Sequence, residues 1–379
     1  MRITVRIIQL LVGVLFIVSG LVKANDPLGL AYKMQEYFEL WTTAAGNTGW
    51  IVTTLDFFHD NSLFFSIFMI TLEIVAGVAL LLGWMKRTVL YLLLALIIFF
   101  TFLTGYAYLS GKFTNCGCFG DCIPITPLTS FTKDIILLVL ISFLIIGQRH
   151  IALLFNSKVR NVTLLSSLVL TLALQWYVLT YLPLVDCLPF KKGNNIEAQM
   201  KAPPGSVQDS VAIRFVYEKG GKRYEFAPDN LPEDFETYTY VDRVDKVIRK
   251  GNAIPPIKGF VLKGMANVDS TSAVLQLPKA VLIFMMDAKG AEWMKETKSI
   301  ITINDKAPVY VITSSSIEKT RELLTTNGLS QIPVFTCDNT AVKTAARTDP
   351  TVYYMEHGNI INKWSGKELH RAAQFFTGR

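Results

Sequence analysis

Along its first half the chain alternates long apolar runs with short charged ones, and after the midpoint the runs shorten to strand length. Five runs, near residues 3–22, 62–83, 88–109, 131–147 and 162–184, are long enough to cross roughly 30 Å of hydrocarbon as helices. Past the midpoint, "VAIRFVYEKGGKRYEFAP" alternates about Gly220-Gly221, which predicts a β-hairpin, and "YTYVDRVDKVIRKG" adds a further strand and turn. From residue 254 the pattern changes again. "KAVLIFMMD", "APVYVITSS" and "IPVFTCD" read as buried strands, and "AEWMKETKSIIT", "SIEKTRELLTTNG" and "TAVKTAART" as helices. "TVYYMEHGNIINKWSG" reads as a hairpin turning at His357-Gly358, and "KELHRAAQFF" as a closing helix. The order βαβαβαββα predicts helices packed on a central sheet.

Composition confirms the division. The 379 residues are 51% hydrophobic, and the mean hydropathy of +0.36 is too high for an ordinary soluble protein and too low for a pure membrane bundle. Residues 1–189 carry 11 Lys/Arg and 9 Asp/Glu, whereas 190–379 carry 26 and 21. The expected organisation is a membrane domain over 1–187, a connector and β-rich insert over 188–253 that opens on the Pro/Gly/Asn-rich "LPFKKGNN" and "APPGS", and an α/β domain over 254–379. Arg2, Arg6, Lys86, Arg87, Arg149, Lys158 and Arg160 lie before the first run or in alternate loops, and Asp26, Glu36, Glu39, Asp56, Asp60, Asp121 and Asp186 lie in the opposite ones. The positive-inside rule then predicts a multi-pass protein of the bacterial inner membrane with a cytoplasmic N-terminus and a periplasmic C-terminal half. Val22-Lys23-Ala24 loosely fits a signal cleavage site, but the length of the first run favours an uncleaved span, and either choice leaves the soluble half on the same side. A net charge of +7 without basic clusters interleaved with aromatics points away from nucleic acid as a partner. Membrane lipid and a periplasmic client or complex subunit are the expected partners.

The candidate chemistry is concentrated in thiols. Three of the five cysteines, Cys116, Cys118 and Cys122, fall in "TNCGCFGDC" between the third and fourth runs, and Cys187 follows the fifth. The compartment is oxidising, so disulfides are expected. Cys116 and Cys118 point the same way in an extended loop. Gly117 permits the tight backbone that a bridge between them needs, and such a small ring is strained and oxidising. Cys122 can then act as a resolving thiol. Four cysteines allow three complete pairings, among which the sequence does not choose. Thiol–disulfide exchange with electrons passing to a quinone, structural disulfides stapling the loop to the bundle, and a metal site lacking a fourth ligand all remain open, with no metal expected. Cys337 ends an apolar strand and reads as a buried hydrophobe.

Ionisable groups inside spans need an account. Glu73, near mid-membrane, is either a proton relay or head-group ligand, or a carboxyl bonded to a neighbouring helix. Asp134 offers the same choice, or simply suits a helix N-terminus. Lys23 can pair with either acid, and Gln175 suits an interhelical hydrogen bond. Phe99, Phe100, Phe102, Tyr106 and Tyr108 crowd the outer end of the third run, either as an interfacial belt or as an apolar pocket for a quinone ring. The four histidines show no ligand spacing, and no Walker loop, dinucleotide fingerprint or hydrolase triad is present.

The segments "GLVKANDPLGLAYKMQEY", "LEIVAGVALLLGW", "NCGCFGDCIPITPLTSFTKDIILLVL" and "LPLVDCLPFKKGNNI" resemble the MauE/DoxX family of small membrane proteins, in its longer variety with a soluble extension. The resemblance implies a four-helix DoxX-like core, with the fifth span connecting to the extension. It also implies a role in thiol-disulfide redox or maturation of envelope proteins. MauE-like proteins are linked to maturation of methylamine dehydrogenase, and DoxX-like ones to quinol oxidation and thiol stress. Residues 254–379 resemble a thioredoxin-like fold of the extended, peroxiredoxin-like kind, with a cis bond expected at Asp349-Pro350. Where such proteins carry Cys-x-x-Cys, this chain has "MDAKGAEW", without cysteine. That departure implies a docking module, and it keeps open a second function: a non-catalytic scaffold or accessory subunit of an envelope complex.

Overall fold

A computed structural model of the chain describes every residue except 47, 114–116, 118–119, 121, 124, 229, 233, 250, 287–306 and 378–379. The first half folds as α1 (Arg2–Ala24), α2 (Pro27–Ala45), α3 (Gly49–Asp60), α4 (Ser62–Leu82), α5 (Lys86–Ser110), α6 (Pro127–Ile146) and α7 (Ser157–Thr180). Among the described residues, α1 and α4 to α7 are the helices long and apolar enough to cross a membrane. α1 and α4 approach closely because small residues face each other: a Cβ on Gly20 would stand 2.4 Å from Ile74 Cγ1, and one on Gly77 3.0 Å from the Gly13 carbonyl oxygen. α1, α4, α5 and α6 share one apolar core that includes Val12, Leu80, Leu93 and Ile141. α7 lies at the edge and is anchored by Gln175, whose Nε2 donates to Thr71 Oγ1 at 2.9 Å.

Two features depart from the sequence reading. The acidic stretch after the first run, expected as a loop, forms α2 and α3. Asp26 caps α2 by accepting from the Gly29 backbone N–H, with Pro27 in the first turn. Only Ala31, Met34 and Tyr37 face inward along most of α2, too sparse a stripe to read as a span. α6 also begins earlier than expected, at Pro127 behind the Thr126 cap, which leaves Asp134 eight residues in. Asp134 is therefore beyond reach of the helix N-terminus, and other partners hold it.

The second half carries α8 (Ile196–Gln199), then β1 (Ser210–Lys219), β2 (Lys222–Phe226) and β3 (Thr239–Arg249), which form an antiparallel sheet in the order β2-β1-β3. The β1–β2 turn is Gly220-Gly221, both at positive φ. Beyond α9 (Thr271–Leu275) comes a five-stranded mixed sheet of order β6-β5-β4-β7-β8. It is built from β4 (Ala280–Met285), β5 (Val309–Thr313), β6 (Val334–Thr336), β7 (Thr351–Glu356) and β8 (Asn359–Ser365). β4, β5 and β6 run parallel, β7 runs antiparallel to β4, and β8 runs antiparallel to β7. Side chains alternate between its two buried faces. Leu282, Phe284 and Tyr353 meet α11 (Asn339–Ala345) on one face. Val281, Ile283 and Val352 meet α10 (Ile317–Thr326) and α12 (Leu369–Thr377) on the other. The expected helix "AEWMKETKSIIT" lies outside the described residues. Asp349-Pro350 is cis. The connector is not a loose linker: Phe190 and Ile196 are buried in the α/β core beside Phe260 and Phe284.

Candidate functional site

The site is assembled at the C-terminal turn of α1. Cys122, in the loop between α5 and α6, is bonded to Cys187 in the connector, with Cα atoms 4.8 Å apart. Asn25 pins the same connector: its Nδ2 donates to the Val185 carbonyl at 2.8 Å and its Oδ1 accepts from the Val185 N–H at 3.0 Å. Cys122, Cys187, Asn25, Asp26 and Val22 enclose a space of about 10 Å³. The described parts of the loop lie on α1 and α2. A Cβ at Gly120 would touch Val22, and one at Gly117 would stand 3.1 Å from Lys33 Cγ. Cys116 and Cys118 lie outside the described residues.

Beneath this turn, inside the bundle, is a charged chamber. Lys23, on α1, is 2% exposed and its Nζ lies 2.6 Å from Glu73 Oε2 on α4 and 4.5 Å from the centre of the Phe100 ring. Asp134, on α6, is fully buried; its Oδ2 accepts from Thr104 Oγ1 of α5 at 3.0 Å, and its Oδ1 is 2.9 Å from Lys133 Nζ. All four charged groups line one cavity of about 20 Å³, the size of a single water. Two cations and two carboxylates balance there, which is the condition for keeping charges out of water. Lys133 also belongs to the wall of an apolar crevice of about 470 Å³ between α1 and α6. That crevice faces outward at Leu11, Leu128 and Ile136, each between 44% and 54% exposed.

Of the residues singled out in the sequence, the fold thus brings Glu73 and Asp134 together, and Cys122 with Cys187. Tyr106 stands apart from both groups. It packs in an aromatic cluster with Tyr37, Trp41 and Phe113 at ring-centre distances of 5.7–6.4 Å. Behind that cluster, α2 to α5 enclose a cavity of about 480 Å³ lined by Tyr37, Trp41, Phe58 and Phe99 among other apolar groups. The hydroxyl of Tyr37 is committed to the Leu103 carbonyl at 3.2 Å, so this cavity suits hydrocarbon.

A second contact surface was not legible in the sequence. The α/β half docks on α2 through Arg347, 4% exposed, whose Nε donates to Asp26 Oδ2 at 2.9 Å. Lys343 Nζ donates to Gln35 Oε1 at 3.0 Å, and Tyr32 Oη donates to Met286 Sδ at 3.2 Å. Both cations lie over the Tyr32 ring. Burial pushes the Tyr32 phenol up to about 12, against the opposing pull of Arg347. At β8, buried Lys363 donates to Asp186 Oδ2 at 2.8 Å, one residue before Cys187. Burial by itself would lower the Lys363 ammonium, but Tyr353 and Asp186 outweigh it and raise it. The signal for Asp26 was its place before Pro27; Arg347 had none. Among the described residues no cluster of three or more His, Cys, Asp or Glu is placed to hold a metal ion.

A multi-pass helical bundle with a disulfide-tied loop, continued by an α/β region, defines the class. Within it, residues 1–147 match the family described as methylamine utilisation protein MauE. Residues 211–250 match a domain of unknown function (DUF8463). The chain is 29% identical over 140 residues to Protein TlpB of Flavobacterium psychrophilum, a match covering 36% of this chain. The match covers 35% of that protein, so the chain spans about a third of the length of this curated relative. No solved structure matches the chain.

Proposed function

We propose that the protein is a thiol–disulfide redox or maturation factor for envelope proteins, seated in the bacterial inner membrane and passing electrons to a membrane quinone. Its N-terminus is then cytoplasmic. The cysteine loop, the insert (188–253) and a thioredoxin-like domain (254–379) are periplasmic. The β6-β5-β4-β7-β8 order with helices on both faces supports that domain assignment. One observation carries the functional reading: the Cys122–Cys187 bond closes over the last turn of α1, and from that same turn Lys23 reaches down into the chamber with Glu73 and Asp134.

In this reading a client dithiol attacks a loop disulfide as its thiolate, forms a mixed disulfide and leaves oxidised, and the loop keeps two electrons and two protons as two thiols. A bound quinone supplies the oxidising capacity by accepting those two electrons and two protons as it becomes quinol. Residues of this chain fit such a ring in the α1–α6 crevice. Its walls are apolar and Lys133 offers a donor where the crevice meets the chamber. The cavity behind Tyr106 has no charged residue in its lining and fits a lipid chain.

The double variants Cys122→Ser/Cys187→Ser and Cys116→Ser/Cys118→Ser, in lipid nanodiscs, should each lose quinone-dependent oxidation of a reduced client. Wild-type rates in both would sink the reading. Mass-spectrometric mapping of paired cysteines should also give a pattern that shifts when quinone is added; a fixed pattern means a staple.

A scaffold role is favoured by one feature, the buried Asp26–Arg347 pair that holds a domain without Cys-x-x-Cys against the bundle. Under it, the cysteine variants behave as wild type, and affinity capture with the full chain recovers a partner that is lost when residues 254–379 are altered.

A further inference from the structure

Between Val185 and Phe190 a strap of six residues is tied to both halves of the molecule. Val185 is held by Asn25 at the end of α1. Asp186 is held by buried Lys363 of β8. Cys187 is bonded to Cys122. Phe190 is buried in the α/β core against Phe260, Phe284 and Tyr353. Next to Asn25, Asp26 takes Arg347, and Asp26 shares the small space beside the disulfide. The strap is thus clasped covalently to the membrane half at one point, and both ion pairs that dock the α/β region lie close to that clasp: Asp186 is the residue before Cys187, and Asp26 lines the same small space as the two cysteines.

The surface under the clasp has a definite chemistry. On the α/β side it presents Arg347 and Lys343 around a slot floored by Met286. On the other side α2 fills it with one carboxylate, Asp26, and one aromatic ring, Tyr32. α2 therefore occupies a site that suits a segment bearing an acidic and an aromatic side chain. Asp349, next to the cis proline, accepts from the Met286 N–H at 3.2 Å and closes the slot's edge.

We infer that the Cys122–Cys187 bond gates this docking: reduced, the strap loosens, α2 leaves the Arg347/Lys343 surface, and the surface opens to a partner segment with an acidic and an aromatic residue. The inference rests on the redox reading for its reductant, the dithiol of a client. Two electrons and two protons pass from that dithiol to Cys122 and Cys187, which become thiols as the donor closes to its own disulfide. A tie of sequence separation 65 limits how far the strap can move while it is closed. Once it is open, docking depends on non-covalent ties alone: the ion pairs, the Asn25–Val185 and Lys343–Gln35 hydrogen bonds and the Tyr32 contact.

Hydrogen exchange of the full chain in nanodiscs tests this, read at Pro27–Gln35, at α11 and at the strap. Asp26→Asn/Tyr32→Phe defines the undocked pattern. Exchange at α2 and α11 should rise about tenfold in wild type treated with dithiothreitol, and equally in Cys122→Ser/Cys187→Ser without reductant. Exchange in the core of the α4–α5 pair should not change. Unchanged exchange at α11 after reduction overturns the inference, and so does an Asp26→Asn/Tyr32→Phe variant that exchanges like oxidised wild type. Client oxidation is measured separately. Loss of the redox reading shows there as wild-type rates in the cysteine variants, while the docking readout responds or fails independently of it.

Discussion

Burying an ammonium in a lipid-embedded bundle is tolerable only beside an anion, and Lys23 has Glu73 at 2.6 Å with both side chains at most 4% exposed. Glu73→Gln should therefore lower stability by about 3–5 kcal/mol, because it strands a buried cation. Lys23→Met/Glu73→Leu, which removes both charges at similar volume, should recover most of that loss. Thermal unfolding in detergent compares the two, and a double variant as unstable as Glu73→Gln would show that the charges are not balanced as a pair. Cys337 makes a contrasting residue-scale case. Its thiol is buried in the α/β core near the Gly259 carbonyl, and burial pushes it up to about 11. At pH 8 roughly one thiol in a thousand is then ionised. Maleimide should leave Cys337 unlabelled in the folded protein and label it readily in denaturant; rapid native labelling would mean that the strand end opens.

At the scale of elements, the α1–α4 pair shows how tightly the bundle is specified. Gly77 stands 3.0 Å from the Gly13 carbonyl when given a Cβ and 2.9 Å from Ile17 Cγ1. Gly77→Val should cost about 1–3 kcal/mol by overpacking, visible as a lower midpoint in detergent titration, whereas Gly49→Ala at the start of α3 meets no neighbour within 4 Å and should cost little. The apolar runs that become the five long helices were readable from length alone, as were the hairpins at Gly220-Gly221 and His357-Gly358, because turn chemistry is local. α2 and α3 were not readable as helices. Their inward stripe is narrow, and their acidic residues resemble those of an aqueous loop, although Asp26-Pro27 carried a start signal. The same limit applies to the site. Glu73 and Asp134 stood out because a charge inside an apolar run is conspicuous. Arg347 and Lys363 acquire their roles only from partners far away in sequence, as Arg347 does from Asp26 across 321 positions.

At the scale of the molecule, the docking of the α/β half depends on a neutral phenol. Tyr32 sits under Arg347 and Lys343, near Asp26 and Asp349, with its hydroxyl on Met286. Burial raises it to about 12, Arg347 opposes that rise, and the two carboxylates add to it. An undocked Tyr32 in water ionises near its ordinary value of 10.0. Below that value both states hold the proton and docking is at full strength. Between pH 10 and 12 the undocked state loses its proton while the docked state keeps it, so docking weakens as pH rises through that window. Tyr32→Phe removes the ionisable group and should dock with little change across the same range, apart from the small loss of the Met286 contact. Hydrogen exchange at α11, followed from pH 8 to 11.5 and corrected for intrinsic exchange rates, reads the difference. A wild type as insensitive as Tyr32→Phe would place the phenol in water and remove the aromatic half of the docking surface, leaving that surface to the Asp26–Arg347 pair and the Lys343–Gln35 hydrogen bond.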